Sequence, residues 1–275
     1  MAYSPKKELK RFLDEDVGKG DITSKLLQKK RIDAKIITRE KTIVAGVQFT
    51  KEIFLLNRCK VQIKKKDGMA VKPNQTVLEI NGNAADILTC ERTALNLLSR
   101  MCGIATQTNN LKKQVRSVGS KSKVFATRKT APGLRFFDKE AVRIGGGEKH
   151  RMTLNEMIMI KDNHLASEGS LLRLLTKAKK TRGKIEVEVE TQNDAILCAK
   201  LGVDIIMLDN FSPVQIKKTI KKLTEFGLRK KVMLEASGRI NSKNITKYAE
   251  TNVDMISVGS ITNSVNGVDL SLEIS

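Results

Sequence analysis

Apolar residues along the first hundred positions follow first a helical and then a mostly strand-like pattern. A stripe at Leu9, Phe12 and Leu13 behind Ser4-Pro5 predicts a helix that a hydroxyl caps and that ends near Gly18. Short apolar runs punctuated by Gly and Asn then predict four strands, over residues 34–38, 42–46, 61–64 and 76–80, and one helix over residues 47–56. The mixture predicts an α+β domain.

From residue 84 onward the pattern predicts one long helix and then a repeated strand–helix order. The helix covers about residues 84–115, although Gly103 within it weakens its helical propensity. Short apolar runs predict strands over residues 123–126, 158–160, 185–189, 205–208, 232–234 and 255–258. Helices that start near Thr191, Ser212 and Ser242 separate the last four strands. Repeated βα units predict a parallel, barrel-like sheet whose ligands gather at the carboxyl ends of its strands.

Composition is typical of a folded protein of the reducing cytosol. The chain has 275 residues, of which 40% are hydrophobic and 29% charged, enough apolar residues for a real core. No apolar run is long enough to cross a membrane, and the N-terminus lacks the apolar core of a signal peptide. Four cysteines form no C-x-x-C pair, and only His150 and His164 are histidines. We therefore expect a soluble cytoplasmic protein without structural zinc or disulfides.

The formal net charge of +21 raises the alternative of a nucleic-acid-binding protein. Counted over residues 1–100, 101–200 and 201–275, the net charges are +9, +10 and +2, so the excess is not gathered in a tail. The chain has no Trp and only two Tyr, which leaves few residues on which bases could stack. These features disfavour nucleic acid but leave it as an alternative.

Carboxylates and small residues follow the strands of the second half. Alternation places Glu186, Glu188 and Glu190 on one face of a strand, which favours a site lined with carboxylates over a solvated edge strand. Asp209 ends the next strand. Ser237-Gly238 and Gly259-Ser260 follow the last two strands, where backbone N–H groups of barrel enzymes frequently bind phosphate.

A basic cluster accompanies these acids. It contains Arg128-Lys129, Arg135, His150-Arg151 and Lys161. Arginine forks bind carboxylates in bidentate fashion, and lysine adds a point charge. Glycines before His150 allow the backbone to approach a ligand closely. Together the residues predict an enzyme for a small, highly anionic substrate with phosphate and ribose-like parts, but they do not name its reaction.

Several spaced motifs resemble those of the quinolinate phosphoribosyltransferases. They occupy residues 15–16, 20–24, 91–96, 126–135, 145–151, 160–164, 186–190, 204–210 and 257–259, in the family's order. The resemblance implies an α/β protein with an N-terminal α+β sandwich domain over residues 1–105 and an incomplete TIM-like α/β barrel over residues 106–266. The tail, residues 267–275, is expected to pack on the first domain. A homodimer is also implied.

The implied reaction joins quinolinate to the ribose of phosphoribosyl pyrophosphate with Mg²⁺. It releases pyrophosphate and carbon dioxide and leaves nicotinate mononucleotide, a step of NAD biosynthesis. The resemblance assigns the substrate site to Arg92 from the partner subunit, Arg128, Lys129, His150, Arg151, Lys161, Glu188, Asp209, Ser237, Gly238, Gly259 and Ser260. Lys129, Glu188 and Asp209 are its catalytic candidates. Glu188 and Asp209 are also its metal candidates, directly or through water.

Four positions depart from the family's common pattern: Ala126, Lys149, Arg239 and Asn263. Arg239 stands where a second Gly commonly follows Ser-Gly, which tightens the phosphate loop or adds a charge to it. The intact Arg128-Lys129 and His150-Arg151 pairs favour quinolinate. The main alternative is a sister phosphoribosyltransferase for another aromatic acid, such as the molybdenum-transport-associated branch.

Overall fold

The computed structural model describes residues 4–274. Its first elements are helix α1 (Pro5–Val17), strands β1 (Arg31–Thr38) and β2 (Thr42–Ile43), helix α2 (Val47–Leu56), strands β3 (Lys60–Ile63), β4 (Ala70–Val71) and β5 (Thr76–Asn83), and helix α3 (Ala84–Ser117). Strand β6 (Lys123–Phe125), helix α4 (Arg135–Ile144), strand β7 (Ile158–Ile160) and helices α5 (Asp162–Glu168) and α6 (Leu171–Ala178) follow.

The remaining chain alternates strand and helix almost without interruption. It contains β8 (Ile185–Val189), α7 (Gln192–Lys200), β9 (Ile205–Asp209), α8 (Pro213–Glu225), β10 (Met233–Ser237), α9 (Ile245–Ala249), β11 (Met255–Ser257), α10 (Ser260–Asn263) and β12 (Leu270–Ile274). Short 3₁₀ turns lie at Ser24–Leu26 and Arg229–Lys231. None of the helices in this described part of the chain is long and apolar enough to cross a membrane.

One compact unit contains the chain up to Asn109, Thr130–Gly146 and the chain from Ile261. Its antiparallel sheet has the order β12-β1-β5-β3, with β12 paired to β1 through residues 270–274. Ile36, Leu78 and Ile80 from this sheet are fully buried, as expected for a sheet with one covered face.

The second unit contains Asn110–Lys129 and Gly147–Ser260. Its six strands are all parallel, in the order β6-β11-β10-β9-β8-β7, with a helix between each of the consecutive strands β8 to β11. Val187, Ile206 and Leu234 are fully buried on it. This topology confirms the α/β class with an N-terminal sheet domain and a C-terminal open parallel sheet.

The sequence-based barrel domain, residues 106–266, differs from this division at residues 106–109, 130–146 and 261–266, of which 130–146 is the longest segment. Residues 130–146, placed in the barrel by sequence, cluster with the first unit because α4 packs there. Phe137 lies 5.6 Å from Phe12 and 5.1 Å from Phe49, measured between ring centroids. Arg100 also binds Asp138 through two hydrogen bonds of 2.7 and 2.9 Å.

The structure tests three local predictions, which concern the continuity of α3, the cap of α1 and the start of α9. Helix α3 continues through Gly103, where a Cβ atom would lie 2.1 Å from the carbonyl oxygen of Asn266, so close packing explains this glycine. The predicted hydroxyl cap of α1 is wrong, because the Ser4 side chain makes no capping hydrogen bond there. The last predicted helix starts later than Ser242, with Asn244 preceding its first turn.

Candidate active site

A pocket of about 420 Å³ opens at the carboxyl ends of the parallel strands in the second unit. All six strands or the segments that follow them contribute to its lining, and His150 and Arg151 come from the segment between α4 and β7. The lining residues are Thr127, Arg128, Lys129, His150, Arg151, Met159, Lys161, Glu188, Met207, Asp209, Glu235, Ser237 and Ser257. Parallel strands bring these distant residues together because their carboxyl ends share one edge of the sheet.

Two guanidinium groups make one part of the pocket strongly positive. Arg128 follows β6, and its buried Nε has no hydrogen-bond partner among the described residues. Burial and the nearby charge of Arg128 lower the pKa of Arg151 below its ordinary value, against the opposing effect of Glu186. An anionic ligand bound here would accept a hydrogen bond from the buried Nε of Arg128 and would offset the repulsion between the two guanidinium groups.

His150 lies behind these arginines in a left-handed backbone conformation, with φ of 52°. Its Nε2 lies 3.1 Å from Oε2 of Glu235 and 3.3 Å from Oε2 of Glu186, and both carboxylates are fully buried. Its Nδ1 lies 2.8 Å from the backbone nitrogen of Arg151 and accepts a hydrogen bond from that N–H when the ring is neutral. Burial opposes a charge on the ring, but the two carboxylates outweigh burial and raise the pKa of His150 to about 9.

The carboxylates of Glu188 and Asp209 extend from neighbouring strands. The ammonium group of Lys161 forms an ion pair with Glu188, whose side chain is 12% exposed. Asp209 accepts a 2.6 Å hydrogen bond from the Asn210 amide group. Both carboxylates line the pocket, and each already has one protein partner.

Small residues border the pocket after β10 and β11. Gly238 has φ of 101°, and a Cβ atom there would lie 2.4 Å from Oδ1 of Asn210, so both conformation and space require glycine. Asn210 donates a 2.9 Å backbone hydrogen bond to the Ser237 carbonyl and ties this loop to the end of β9. The buried hydroxyls of Ser257 and Ser260 have no hydrogen-bond partner within residues 4–274.

The structure brings most predicted site residues into this one pocket. Arg128, Lys129, His150, Arg151, Lys161, Glu188, Asp209 and Ser237 line it. Gly238 directly follows the lining residue Ser237, and Gly259 and Ser260 lie two and three positions after the lining residue Ser257. Arg92 belongs to α3 in the first unit, is exposed, and does not line the pocket.

Other predicted residues lie elsewhere. His164 accepts a hydrogen bond from the Lys161 amide and ties the start of α5, a structural role. Arg135 begins α4 in the first unit. Glu190 lies beyond the end of β8 and is exposed, whereas Glu186 and Glu188 face inward on a strand with a neighbour on each side. The predicted inward face is confirmed for these two glutamates only.

Five lining residues were not among those predicted from the sequence: Thr127, Met159, Met207, Glu235 and Ser257. Glu235 had a usable signal, because it lies two positions before Ser237 on the same strand and so on the same face. The methionines carry no polar group to attract attention. They supply the apolar wall against which a flat ring could pack.

Comparisons with known proteins identify relatives over nearly the whole chain. Family models of the quinolinate phosphoribosyl transferase N-terminal and C-terminal domains match residues 21–102 and 104–273. The chain is 43% identical over 255 residues to a probable nicotinate-nucleotide pyrophosphorylase [carboxylating] of Archaeoglobus fulgidus, covering 93% of this chain and 98% of that protein. It is 36% identical over 291 residues to the nicotinate-nucleotide pyrophosphorylase [carboxylating] of Dictyostelium discoideum, covering 99% and 96%.

A solved structure agrees with these relatives. The nicotinate-nucleotide pyrophosphorylase of Francisella tularensis superposes with a TM-score of 0.92 at 38% identity, covering 98% of this chain and 96% of that one.

Proposed function

The chain belongs to the quinolinate phosphoribosyl transferase family, and we propose that it converts quinolinate and phosphoribosyl pyrophosphate to nicotinate mononucleotide, pyrophosphate and carbon dioxide in NAD biosynthesis. The observation that carries this proposal is the pocket, which combines paired guanidinium groups, two inward carboxylates and phosphate-sized loops at the strand ends. The relatives carry the name of this reaction, and the residues explain how it would proceed.

The basic residues would bind the pyridine diacid. Arg128 and Arg151 offer fork-shaped donors to carboxylates, and Lys129 and Lys161 add charge. Met159 and Met207 would pack against the aromatic ring. This arrangement favours a substrate with two carboxylates, because one carboxylate would leave part of the positive charge uncompensated.

Phosphoribosyl pyrophosphate, the second reactant, would place its ribose near Glu188 and Asp209. Glu188 and Asp209 would stabilise the positive charge that develops on the ribose when pyrophosphate departs. The backbone N–H groups of the Ser237-Gly238 and Gly259-Ser260 loops, with the unpartnered Ser260 hydroxyl, would bind the 5′-phosphate. Lys129 would offset negative charge that accumulates during the transfer.

Mg²⁺ fits the donor set of this pocket. Glu188 and Asp209 present carboxylate oxygens, the ligands that Mg²⁺ prefers, and each retains donor capacity beside its present partner. Mg²⁺ bound with the polyphosphate would neutralise the charge of the leaving pyrophosphate. The two residues would hold it directly or through water.

Decarboxylation would follow the transfer. Once the ring nitrogen carries ribose, it is a cationic electron sink. The bond between ring and adjacent carboxylate then breaks with its electron pair left on the ring carbon, and carbon dioxide leaves. A proton at that carbon completes nicotinate mononucleotide. The arginines that held the departing carboxylate would release it as a neutral molecule.

A homodimer and a cytoplasmic location complete the proposal. We propose that Arg92 reaches the site of the partner subunit, which agrees with its exposed position on α3. All four cysteines are buried and unpaired, and burial raises the pKa of Cys59 to about 11, so they suit a reducing compartment.

The deciding experiment incubates the purified protein with quinolinate, phosphoribosyl pyrophosphate and Mg²⁺. We expect nicotinate mononucleotide and carbon dioxide in equal amounts, loss of turnover with EDTA and its return with added Mg²⁺. Nicotinate in place of quinolinate is the control, and we expect no product from it. Product from nicotinate or another aromatic acid alone would favour a sister transferase, and no product from a folded sample would contradict the proposal.

Mixing two inactive variants tests the shared site. If Arg92 acts across a dimer interface, Arg92→Ala and Arg128→Ala subunits should recover about a quarter of wild-type activity after exchange, because half the dimers contain one intact site. Variants mixed without subunit exchange are the control. No recovery in exchanged heterodimers would place Arg92 outside the partner's site.

A further inference from the structure

Two fully buried glutamates lie in and beside a pocket that many basic residues line: Glu235 lines the pocket, and Glu186 contacts His150 beside it. Neither oxygen of Glu186 and only one oxygen of Glu235 has a hydrogen-bond partner in the described chain, and neither side chain is exposed. Burial of an unpaired carboxylate is costly, and two such groups would repel a dicarboxylate. Their placement therefore needs a compensating cation within reach.

His150 is the group that meets both carboxylates. Its Nε2 lies within 3.3 Å of an oxygen from each glutamate, although the two strands β8 and β10 are separated by β9 in the sheet. The edge of the Phe125 ring packs against the other side of the imidazole, with centroids 5.9 Å apart. Protein groups thus hold the ring from three strands.

The ring in turn fixes the backbone of the residue beside it. The Arg151 amide donates to Nδ1 of His150, and the guanidinium of Arg151 contacts the Met157 carbonyl at 3.1 Å. The left-handed conformation of His150 is unfavourable for a residue with a side chain and persists only where its surroundings enforce it. The contacts of its Nε2 supply that enforcement.

A metal ion is the other occupant that such a cluster suggests. The ligand atoms of His150, Glu186 and Glu235 all lie within 4.8 Å of one another. While the ring is neutral, the Arg151 amide donates to Nδ1, so the ring proton is on Nε2. In the imidazolium both nitrogens carry a proton, so Nε2 has no lone pair for a metal in either state. A hydrogen bond from Nε2–H to Glu235, with the carboxylate of Glu186 at 3.3 Å from the same nitrogen, fits the geometry better.

We propose that Glu186 and Glu235 are positioning residues that hold His150, and through it Arg151, in the orientation that receives a carboxylate of the substrate. This assignment deepens the proposed function and rests on it. In this assignment the glutamates do not touch the substrate. Their negative charge interacts with the imidazole of His150, which reduces their repulsion of the diacid. Their effect is therefore specific to the diacid and does not extend to phosphoribosyl pyrophosphate.

Matched variants separate this role from general structural support. Glu235→Leu removes the acceptor, and Glu235→Gln keeps an acceptor of the same shape. We expect Glu235→Leu to raise the KM for quinolinate about tenfold and Glu235→Gln to stay within about threefold of wild type. The KM for phosphoribosyl pyrophosphate should stay within about twofold in both. Glu190→Gln, which removes a charge from the exposed end of the same carboxylate row, is the control.

The thermal midpoint is measured in parallel, because removal of one partner of a buried ion pair can itself destabilise the fold, and the KM values are compared at a temperature at which every variant is folded. Equal KM values for quinolinate in wild type, Glu235→Leu and the Glu186→Leu/Glu235→Leu double variant would overturn the proposal. A parallel rise in both KM values would also overturn it, since that result indicates loss of the whole site.

Nitrogen NMR of the wild-type histidines tests the clamp without any variant or activity. The chain has only two histidines, and His164→Asn assigns the signals. We expect Nε2 of His150 to carry a proton at every pH at which the protein stays folded. Nε2 is protonated both in the neutral ring whose Nδ1 accepts from the Arg151 amide and in the imidazolium. A bare Nε2 with the proton on Nδ1, or loss of the Nε2 proton on binding of Zn²⁺ or Mn²⁺, would overturn the proposal. Failure of quinolinate turnover with the expected ring state would contradict the proposed function alone.

Discussion

Arg128 gives the sharpest test of the pocket because its effects on the empty and the liganded protein have opposite signs. Without ligand, its guanidinium repels Arg151 and its buried Nε is unpartnered. Arg128→Ala therefore should not lower, and should slightly raise, the thermal midpoint of the protein alone. With ligand, loss of two charge-assisted hydrogen bonds costs about 3 kcal/mol, or a factor of about 150 in affinity.

The ligand-induced stabilisation follows from that factor. At a quinolinate concentration of about 100 times the wild-type Kd, binding stabilises the folded state by about 2.7 kcal/mol, which for a chain of this size raises the midpoint by about 5–10 °C. Under the same conditions the variant is less than half saturated and gains only about 0.3 kcal/mol. Scanning fluorimetry with and without quinolinate measures both effects.

Arg182→Ala, which removes an exposed arginine from the loop before β8, is the matched control and should keep the full shift. A full quinolinate-induced shift in Arg128→Ala would refute the assignment of Arg128 to the diacid. A lower midpoint of the unliganded variant would refute the like-charge repulsion.

Three further outcomes are expected. Gly238→Ala should lower the free energy of unfolding in urea by about 1–3 kcal/mol and weaken phosphoribosyl pyrophosphate binding. Gly227→Ala, at a glycine that also has positive φ but where a Cβ atom would meet no atom within 4 Å, should lower it less. Equal losses would contradict the predicted clash with Asn210. Because the pKa of His150 is raised to about 9, protonation of this ring stabilises the folded protein fully below about pH 6.5, and this stabilisation is lost as the pH rises through about 9. The unfolding free energies of wild type and His150→Gln should therefore converge by up to about 3 kcal/mol over that interval. Parallel curves of unfolding free energy against pH would contradict this expectation. Asp138→Ala should lose about 3 kcal/mol in urea unfolding because Arg100 loses both its hydrogen bonds to a buried carboxylate, and a loss below about 1 kcal/mol would contradict that view.

The strands of the parallel sheet were predictable because each is short, apolar and bounded by a polar turn. The runs at 185–189 and 205–208 match β8 and β9 to within one residue. Helix α4 was not predictable as part of the first unit. Its attachment depends on Phe136 and Phe137 meeting Phe49, 87 and 88 positions earlier in the chain, and no local pattern reports such a contact.

The candidate site was predictable to the extent that its residues lie at strand ends. The pattern placed Glu188, Asp209 and Ser237 there without knowledge of the strand order. The contact of His150 with Glu235 was not predictable in this way, because Glu235 lies 85 positions away in sequence and no local pattern shows which residue the ring meets. From the sequence, His150 was placed in the basic cluster of the substrate site, whereas in the structure both of its ring nitrogens contact protein groups.

The order of the strands also changes the meaning of the net charge of +21. Along the sheet, Arg128 and Lys129 follow β6 at one end, Ser257 and Ser237 end the next strands β11 and β10, the acids Asp209 and Glu188 lie at the ends of β9 and β8, and Lys161 follows β7 at the other end. From β6 to β8 the row runs from basic through small to acidic residues, which suits a diacid, a phosphate and a ribose that becomes cationic, respectively. Lys161 pairs with Glu188 at the end of this row. The overall excess of lysine and arginine attracts anions from a distance, but this ordered row, in which acids nearly balance bases, is what can distinguish one pair of anions from another.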